Sequence, residues 1–243
     1  MIARRLALAF GLVLLAGCGV TRLQSARTTP RGHTRTTIGE SLVYLGDRGF
    51  KVEGVPAIPL DLMVRHGATD RVDWGIRLLF GLGLLGDVKW NLLDPARPTA
   101  LSVSVGTGAA VDSGVVLHVP VTVTASHNVR PWFIPYAAVG YGTYWIIGYG
   151  EQMPGVSYAG RSYTGDGLLM LHAGVELTRA TGRAFFLEYG VSLPVVNDPG
   201  DFYGFATNHF FSIAFRTGRG RILSRGLDPN PAPDGPAGPA NVD

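Results

Sequence analysis

The sequence predicts an all-β protein, a closed antiparallel up-and-down transmembrane β-barrel of about ten strands, and three observations support this prediction. Hydrophobic residues make up 46% of the chain and charged residues only 16%, whereas an ordinary soluble domain carries about 25% charged residues. After residue 16 no apolar stretch is long enough for a membrane-spanning helix. The chain from residue 34 to residue 217 instead alternates apolar and polar residues, as membrane barrels do.

Ten strand-like segments account for that alternation, and none of them has a helical period. They are 34–44, 56–66, 71–80, 84–94, 99–110, 114–126, 131–147, 163–178, 183–195 and 208–217. Short turns follow most even-numbered segments, whereas the long connections 45–55, 148–162 and 196–207 all follow odd-numbered ones. Outer-membrane barrels have short periplasmic turns, longer outer loops and an even strand number. The pattern therefore predicts that both chain termini are periplasmic.

Each strand has one apolar face, which includes Leu62, Trp74 and Trp90, and one polar face. Six charged residues share the polar face and form the expected lumen charge network: Asp61, Arg65, Asp73, Arg77, Asp87 and Lys89. Periodicity alone does not decide whether the apolar face meets lipid or a soluble core. A soluble periplasmic lipoprotein with a ligand-binding β-barrel or sandwich therefore remains an alternative.

The charges of the first hairpin complement one another. A hairpin centred on Thr69 would place Arg65 opposite Asp73 and Asp61 opposite Arg77. Cross-strand pairs of opposite charge are favourable, and a narrow lumen requires such compensation because an unpaired charge there is poorly solvated. The pairs therefore favour a membrane barrel with these residues inside.

The next hairpin extends the same pattern. Centred on Leu82, it would place Arg77 opposite Asp87 and Asp73 opposite Asn91. The charges would then form two layers of opposite sign, which favours the lumen interpretation further.

Aromatic residues cluster near both ends of the strands, as in the two girdles of membrane barrels. Those near the predicted periplasmic ends are Trp74, Trp90, Trp132, Phe185 and Phe215, and those near the outer ends are Phe80, Tyr144, Trp145 and Tyr149. The last segment, 208–215, resembles the aromatic-ended final strand of outer-membrane barrels. It departs from that pattern because 28 residues follow it.

The N-terminus has the order of a secretory signal peptide. Two arginines precede an apolar run of 11 residues, 6–16, which is shorter than a membrane-spanning helix. The sequence Leu15-Ala16-Gly17-Cys18 that follows resembles the lipobox of bacterial lipoproteins. The resemblance implies cleavage after residue 17 and acylation of Cys18, with palmitate among the acyl chains. It also implies export to the outer membrane, because Gly19 stands where an aspartate would favour inner-membrane retention.

The predicted organisation has four parts. Residues 1–17 are the signal peptide, 18–33 a lipidated tether, 34–217 the barrel, and 218–243 a basic and then Pro/Gly-rich tail that cannot bury a core. Cys18 is the only cysteine, so an intramolecular disulfide and a cysteine-based metal cluster are excluded.

The motifs that could carry chemistry are weak. The GxGxxG match at 81–86 is followed by a strand instead of the required helix, and the sequence around Ser157 misses the GxSxG elbow. Four residues of the polar face, His118, His172, Glu176 and Glu188, fit satisfied lumen side chains better than a metal site. The sequence therefore predicts no catalytic residues, no metal and no cofactor. The net charge of +3 on an exported chain gives no support for nucleic-acid binding.

Two functions fit this architecture. A ten-stranded barrel has a narrow or plugged lumen, since wide water channels need about 16 strands. The chain would serve either a structural or interaction role or the passage of small solutes, and an outer-membrane lipid hydrolase or acyltransferase is less favoured. The expected partners are membrane lipids, through the N-terminal anchor, and a protein that the sequence does not identify.

Overall fold

The structure, a computed structural model, describes residues 23–47, 51–52, 60–79, 83–111, 114–148, 162–164, 167–179, 181–195 and 208–217. Its strands are β1 (Thr34–Asp47), β2 (Lys51–Val52), β3 (Leu60–Gly67), β4 (Val72–Leu79), β5 (Gly83–Asn91), β6 (Thr99–Val111), β7 (Gly114–His127), β8 (Phe133–Gly148), β9 (Ser162–Thr164), β10 (Gly167–Thr178), β11 (Ala184–Val195) and β12 (Asn208–Thr217). Within these ranges, no helix is long and apolar enough to cross a membrane.

Ten of the strands form one closed antiparallel barrel, which confirms the predicted fold. Each strand of the series β1, β3, β4, β5, β6, β7, β8, β10, β11 and β12 pairs with the next, and β12 pairs with β1 over ten residues. The two short strands are additions, because β2 pairs with the end of β1 and β9 with the end of β8. Closure gives every strand of the series two partners and leaves no free sheet edge among them.

The two ends of the barrel differ. The connections after β3, β5, β7 and β10, together with the start of β1 and the end of β12, lie at one end, which we call the turn end. The opposite end is the loop end. The predicted long connections 148–162 and 196–207 lie almost wholly outside the described residues, and β1 extends to Asp47, inside the connection predicted at 45–55.

Side chains alternate between an outward apolar face and an inward polar face. Trp74 and Trp90 point outward, with 43% and 42% of their surface exposed, and Leu62 is half-buried on the same face. Asp73 and Arg77 point inward and are buried. A soluble barrel or sandwich has the opposite arrangement, with its apolar faces packed together. The apolar face is therefore not a soluble core.

The aromatic residues of the turn end lie on the outward face. All five predicted there are exposed: Trp74, Trp90, Trp132, Phe185 and Phe215. Of the loop-end set, Phe80 and Tyr149 lie outside the described residues, as do the side chains of Tyr144 and Trp145. The described part of the barrel thus carries an aromatic girdle at its turn end.

Part of the polar segment before β1, which the sequence predicts as a tether at 18–33, lies inside the barrel. Residues 23–30, which we call the N-terminal plug, have no regular structure, and Ala26 is fully buried. The side chain of Leu23 packs with Tyr136 and Phe186 of the barrel wall. Small and polar residues suit a polar lumen as well as they suit water, so composition could not separate the two locations.

Candidate functional site

The inward face of β3, β4 and β5 carries an ion-pair network centred on Arg65. Its guanidinium is 2.6 Å from the Asp73 carboxylate and 2.8 Å from the Asp87 carboxylate, and it is buried. Arg65, Gly75 and Asp87 are aligned across the three strands. Because Gly75 has no side chain, the guanidinium can cross β4 to reach Asp87.

The register of the first hairpin differs from the prediction by two residues. Arg65 lies opposite Gly75 and Arg77 opposite Met63. The predicted partners are nevertheless ion-paired, as diagonal neighbours: Arg65 bonds Asp73, and Arg77 bonds Asp61.

The turn itself explains the shift. The hydroxyl of Thr69 accepts hydrogen bonds from the backbone N–H groups of Arg71 and Val72, at 3.2 and 3.0 Å. This side-chain turn puts Asp70, and not Thr69, at the centre of the hairpin, since Gly67 lies opposite Asp73.

The second hairpin is also shifted from the predicted register. Asp73 lies opposite Lys89 instead of Asn91, and Arg77 lies opposite Leu85 instead of Asp87. Asp87 therefore bonds Arg65. The turn that sets this register, 80–82, lies outside the described residues.

Gly75 gives a direct test of the network. A Cβ at this position would lie 2.8 Å from the guanidinium of Arg65, whereas a Cβ at Gly86 would meet only one backbone oxygen, at 3.9 Å. Overpacking typically costs about 1–3 kcal/mol. We therefore expect Gly75→Ala to lower the free energy of unfolding by roughly that amount in a urea titration in detergent. Gly86→Ala is the matched control and should change it little. Equal effects of the two substitutions would contradict the crossing of Arg65 over Gly75.

A second polar cluster is centred on Glu188 in β11. Its carboxylate accepts a hydrogen bond from the Tyr136 hydroxyl at 2.8 Å and lies 3.1 Å from Nδ1 of His172. The same carboxylate accepts the backbone N–H of Leu23 at 2.7 Å. Glu188 therefore joins three elements of the wall to the N-terminal plug.

A neighbouring pair joins β10 to β12. The Arg216 guanidinium is 2.7 Å from the Glu176 carboxylate, which also accepts the hydroxyl of Thr178 at 2.9 Å. Arg216 further lies over the ring of Phe186, at 5.3 Å from its centroid. The sequence placed Glu176 on the polar face but not its partner, because these strands are not consecutive and no hairpin register relates them.

The wall binds the main chain of the plug. Nζ of Lys89 donates to the carbonyl oxygens of Arg27 and Ser25, at 2.8 and 3.4 Å, and to the side chain of Gln24. The backbone N–H of Thr29 donates to the Asp73 carboxylate at 2.6 Å. Wall side chains thus form hydrogen bonds with the backbone of the plug, in the way that a neighbouring strand would in a sheet.

Arg27 fixes the plug to the turn end of the barrel. Its guanidinium donates to the carbonyl oxygens of Pro95, Arg97 and Pro98, at 3.2, 2.8 and 2.9 Å, and to the side chain of Asn128 at 3.0 Å. These acceptors belong to the connections after β5 and β7. The plug is therefore held both to the wall and to the rim.

The wall formed by β6 and β7 has a different character. Most of its inward side chains are small and hydroxylated, and five of these are buried: Ser102, Ser104, Thr122, Thr124 and Ser126. The imidazole of His118, predicted on the polar face, is also buried on this wall. The hydroxyl oxygens of Ser102, Thr122 and Ser126 have no hydrogen-bonding partner within the described part of the chain. Buried polar atoms of this kind are normally satisfied by protein or water, so this side of the lumen suits polar, hydrated contents.

The other residues that the sequence singles out are the lipidation site and the charged residues of the lumen. Cys18 lies outside the described residues. Across the residues that are described, no three His, Cys, Asp or Glu side chains are arranged to hold a metal ion. Asp61, Arg65, Asp73, Arg77, Asp87 and Lys89 all lie on the inward face, and all except the half-buried Asp87 are buried.

Comparisons with known proteins give similarities of fold. No family model and no curated protein match the chain. An outer membrane channel from Pseudomonas putida F1 has a TM-score of 0.43 and 12% identity, covering 82% of this chain and 99% of that one. The N-terminal β-barrel domain of Pseudomonas aeruginosa OprF has a TM-score of 0.38 and 8% identity, covering 78% and 100%. The attachment invasion locus protein Ail of Yersinia pestis has a TM-score of 0.33 and 13% identity, covering 77% and 99%.

Proposed function

We propose that the chain is an outer-membrane β-barrel lipoprotein whose polar lumen passes small solutes and is closed by its own N-terminal plug. The observation that carries this proposal is the position of the plug, whose backbone is held by Lys89, Asp73 and Glu188 inside the barrel. A segment held by side chains can leave without breaking the sheet. A strand of the wall could not.

The outward face supports a location in a membrane. It is apolar, it carries the aromatic girdle of the turn end, and the closed barrel pairs its backbone groups internally. Closed barrels are one of the two structures that can span lipid. Since periplasmic turns are short in such barrels, we assign the turn end, and with it both ends of the barrel domain, to the periplasm.

The interior supports passage in preference to a purely structural role. A barrel of about this size can fill its lumen with wall side chains alone. Here most of the described inward residues of β6 and β7 are small, such as Ser102 and Thr122, although His118 is larger, and the N-terminal plug occupies space that larger wall side chains could have filled. Removal of the plug would leave a lumen lined by ion pairs on one side and hydroxyl groups on the other.

The lipid anchor is part of this proposal. Cys18 precedes the plug by five residues, so acylation would tie the start of the plug to a membrane. The resemblance of residues 15–18 to a lipobox is what supports it.

Conductance in planar bilayers tests the proposed passage. The wild-type barrel should conduct little, and a variant lacking residues 23–30 should show a clear increase in single-channel conductance, because charged and hydroxylated walls would then be open to ions. Deletion of residues 231–238 removes the same number of residues from the tail and serves as the control. If the plug deletion migrates as a folded barrel and conducts no more than this control, the wall alone closes the lumen and the proposal is wrong.

A further inference from the structure

One outward-facing residue does not fit the apolar face. Glu40 in β1 is exposed, and its neighbours on that face include Ile38 and Ile213, which are 49% exposed and apolar. Among the outward-facing strand residues that the structure describes, Glu40 is the only aspartate, glutamate, lysine or arginine. A carboxylate on the lipid face of a membrane barrel is destabilising unless its charge is compensated.

Glu40 lines a groove on the same face. The groove has a volume of about 700 Å³ and crosses β10, β11, β12 and β1. Its outward lining residues include Glu40, Ala173, Tyr189, Phe211 and Ile213. The small side chain of Ala173 lies beside the large Tyr189 of the neighbouring strand, so the surface is recessed there.

The depth of Glu40 is fixed by the aromatic girdle. Phe215 lies opposite Ile38, and Glu40 follows Ile38 by two residues toward the loop end. Two strand residues span about 7 Å. The carboxylate therefore lies just inside the girdle of the turn end, where lipid headgroups give way to acyl chains.

We propose that this groove binds an aminophospholipid, with an acyl chain in the groove and the ammonium group hydrogen-bonded to Glu40. Such a lipid supplies both an apolar chain and charged N–H donors, which are the two properties that the groove requires. The proposal rests on the membrane location proposed above, but not on solute passage.

Two other occupants fit less well. A second copy of the chain would present its own outward face, and the described part of that face carries no lysine or arginine to meet Glu40. An added β-strand would need a free sheet edge, and the barrel series has none. Neither argument applies to a lipid.

Native mass spectrometry of the purified, delipidated barrel tests the site. Phosphatidylethanolamine, phosphatidylglycerol and phosphatidylcholine would be added separately in detergent. We expect wild-type protein to retain phosphatidylethanolamine about tenfold better than the other two, because phosphatidylglycerol lacks a cation and phosphatidylcholine lacks N–H donors. Glu40→Gln should remove this preference, and Ala173→Trp should weaken retention by filling the groove while leaving the carboxylate.

The control is Leu84→Gln, which places an amide at an outward residue that is 54% exposed on β5, away from the groove. It should bind lipid as the wild type does. Equal retention by wild type and Glu40→Gln, or retention of phosphatidylglycerol as good as that of phosphatidylethanolamine, would overturn the proposal. So would a dimer that Glu40→Gln dissociates, since a second copy would then be the occupant. Heat-modifiable gel migration measures folding separately from lipid binding. If the wild-type barrel is folded and inserted in membranes but shows no preference for phosphatidylethanolamine, the lipid site is wrong and the proposed solute passage is unaffected.

Discussion

Arg77→Ala should lower the free energy of unfolding by about 3–5 kcal/mol, because it would leave the Asp61 carboxylate buried without its main cation. Both side chains are buried, and Nε and Nη2 of Arg77 both bond Oδ2 of Asp61. An exposed ion pair would contribute only about 0–1 kcal/mol. The size of the loss therefore reports whether Arg77 faces the lumen. Urea unfolding in detergent, followed by heat-modifiable gel migration, measures it.

Arg71→Ala is the matched control for this substitution. Arg71 is exposed in the turn between β3 and β4, so its removal should change stability by less than about 0.5 kcal/mol. If water or ions enter the lumen of Arg77→Ala and replace the lost charge, a small new conductance should accompany a smaller loss of stability. Wild-type stability without new conductance would place Arg77 in open water and contradict the assigned inward face.

Cys18→Ser should abolish incorporation of labelled palmitate, because the chain contains no other cysteine. The same variant should still form a heat-modifiable barrel, since the contacts that hold the plug begin at Leu23 and belong to residues of the wall and rim. Metabolic labelling and gel migration of the same sample measure the two properties together. An unlabelled but heat-modifiable variant would show that folding of the barrel does not depend on acylation.

Gly19→Asp provides the control for the anchor. It leaves the cysteine in place, so labelling should persist, while the resemblance to lipoproteins implies retention in the inner membrane. Palmitate incorporation into Cys18→Ser would show that the lipobox assignment is wrong.

The sequence was sufficient to predict the strands and their faces. Residues on the two faces of a strand differ strongly in polarity, so an alternation with a period of two residues can be recognised in a single sequence. The final strand, Asn208–Thr217, has the predicted bounds. The outward position of Trp74 and Trp90 also agrees with the prediction. These features depend on local pattern alone.

Features that depend on turn geometry or on distant strands were not predictable. The turn at Thr69, whose hydroxyl accepts two backbone N–H groups, centres the first hairpin on Asp70 and so shifts its register by two residues from the predicted one. The pair formed by Glu176 and Arg216 depends on the order of three strands that close the barrel. The burial of residues 23–30 was missed because a polar lumen and solvent select the same residue types.

The seam between β1 and β12 has a consequence for biosynthesis. It joins residues 181 positions apart, such as Thr36 and Thr217, so its formation carries the entropic cost of closing almost the whole barrel domain into a ring. Until β12 is added, β1 and β11 each keep an unpaired edge that can recruit other chains. Because β12 is antiparallel to both β1 and β11, a polypeptide that stops before Asn208 leaves these two strands parallel to each other and without the partner that closes an antiparallel barrel. Newly made chains must therefore be kept apart until the ten residues of β12 are available to close the barrel.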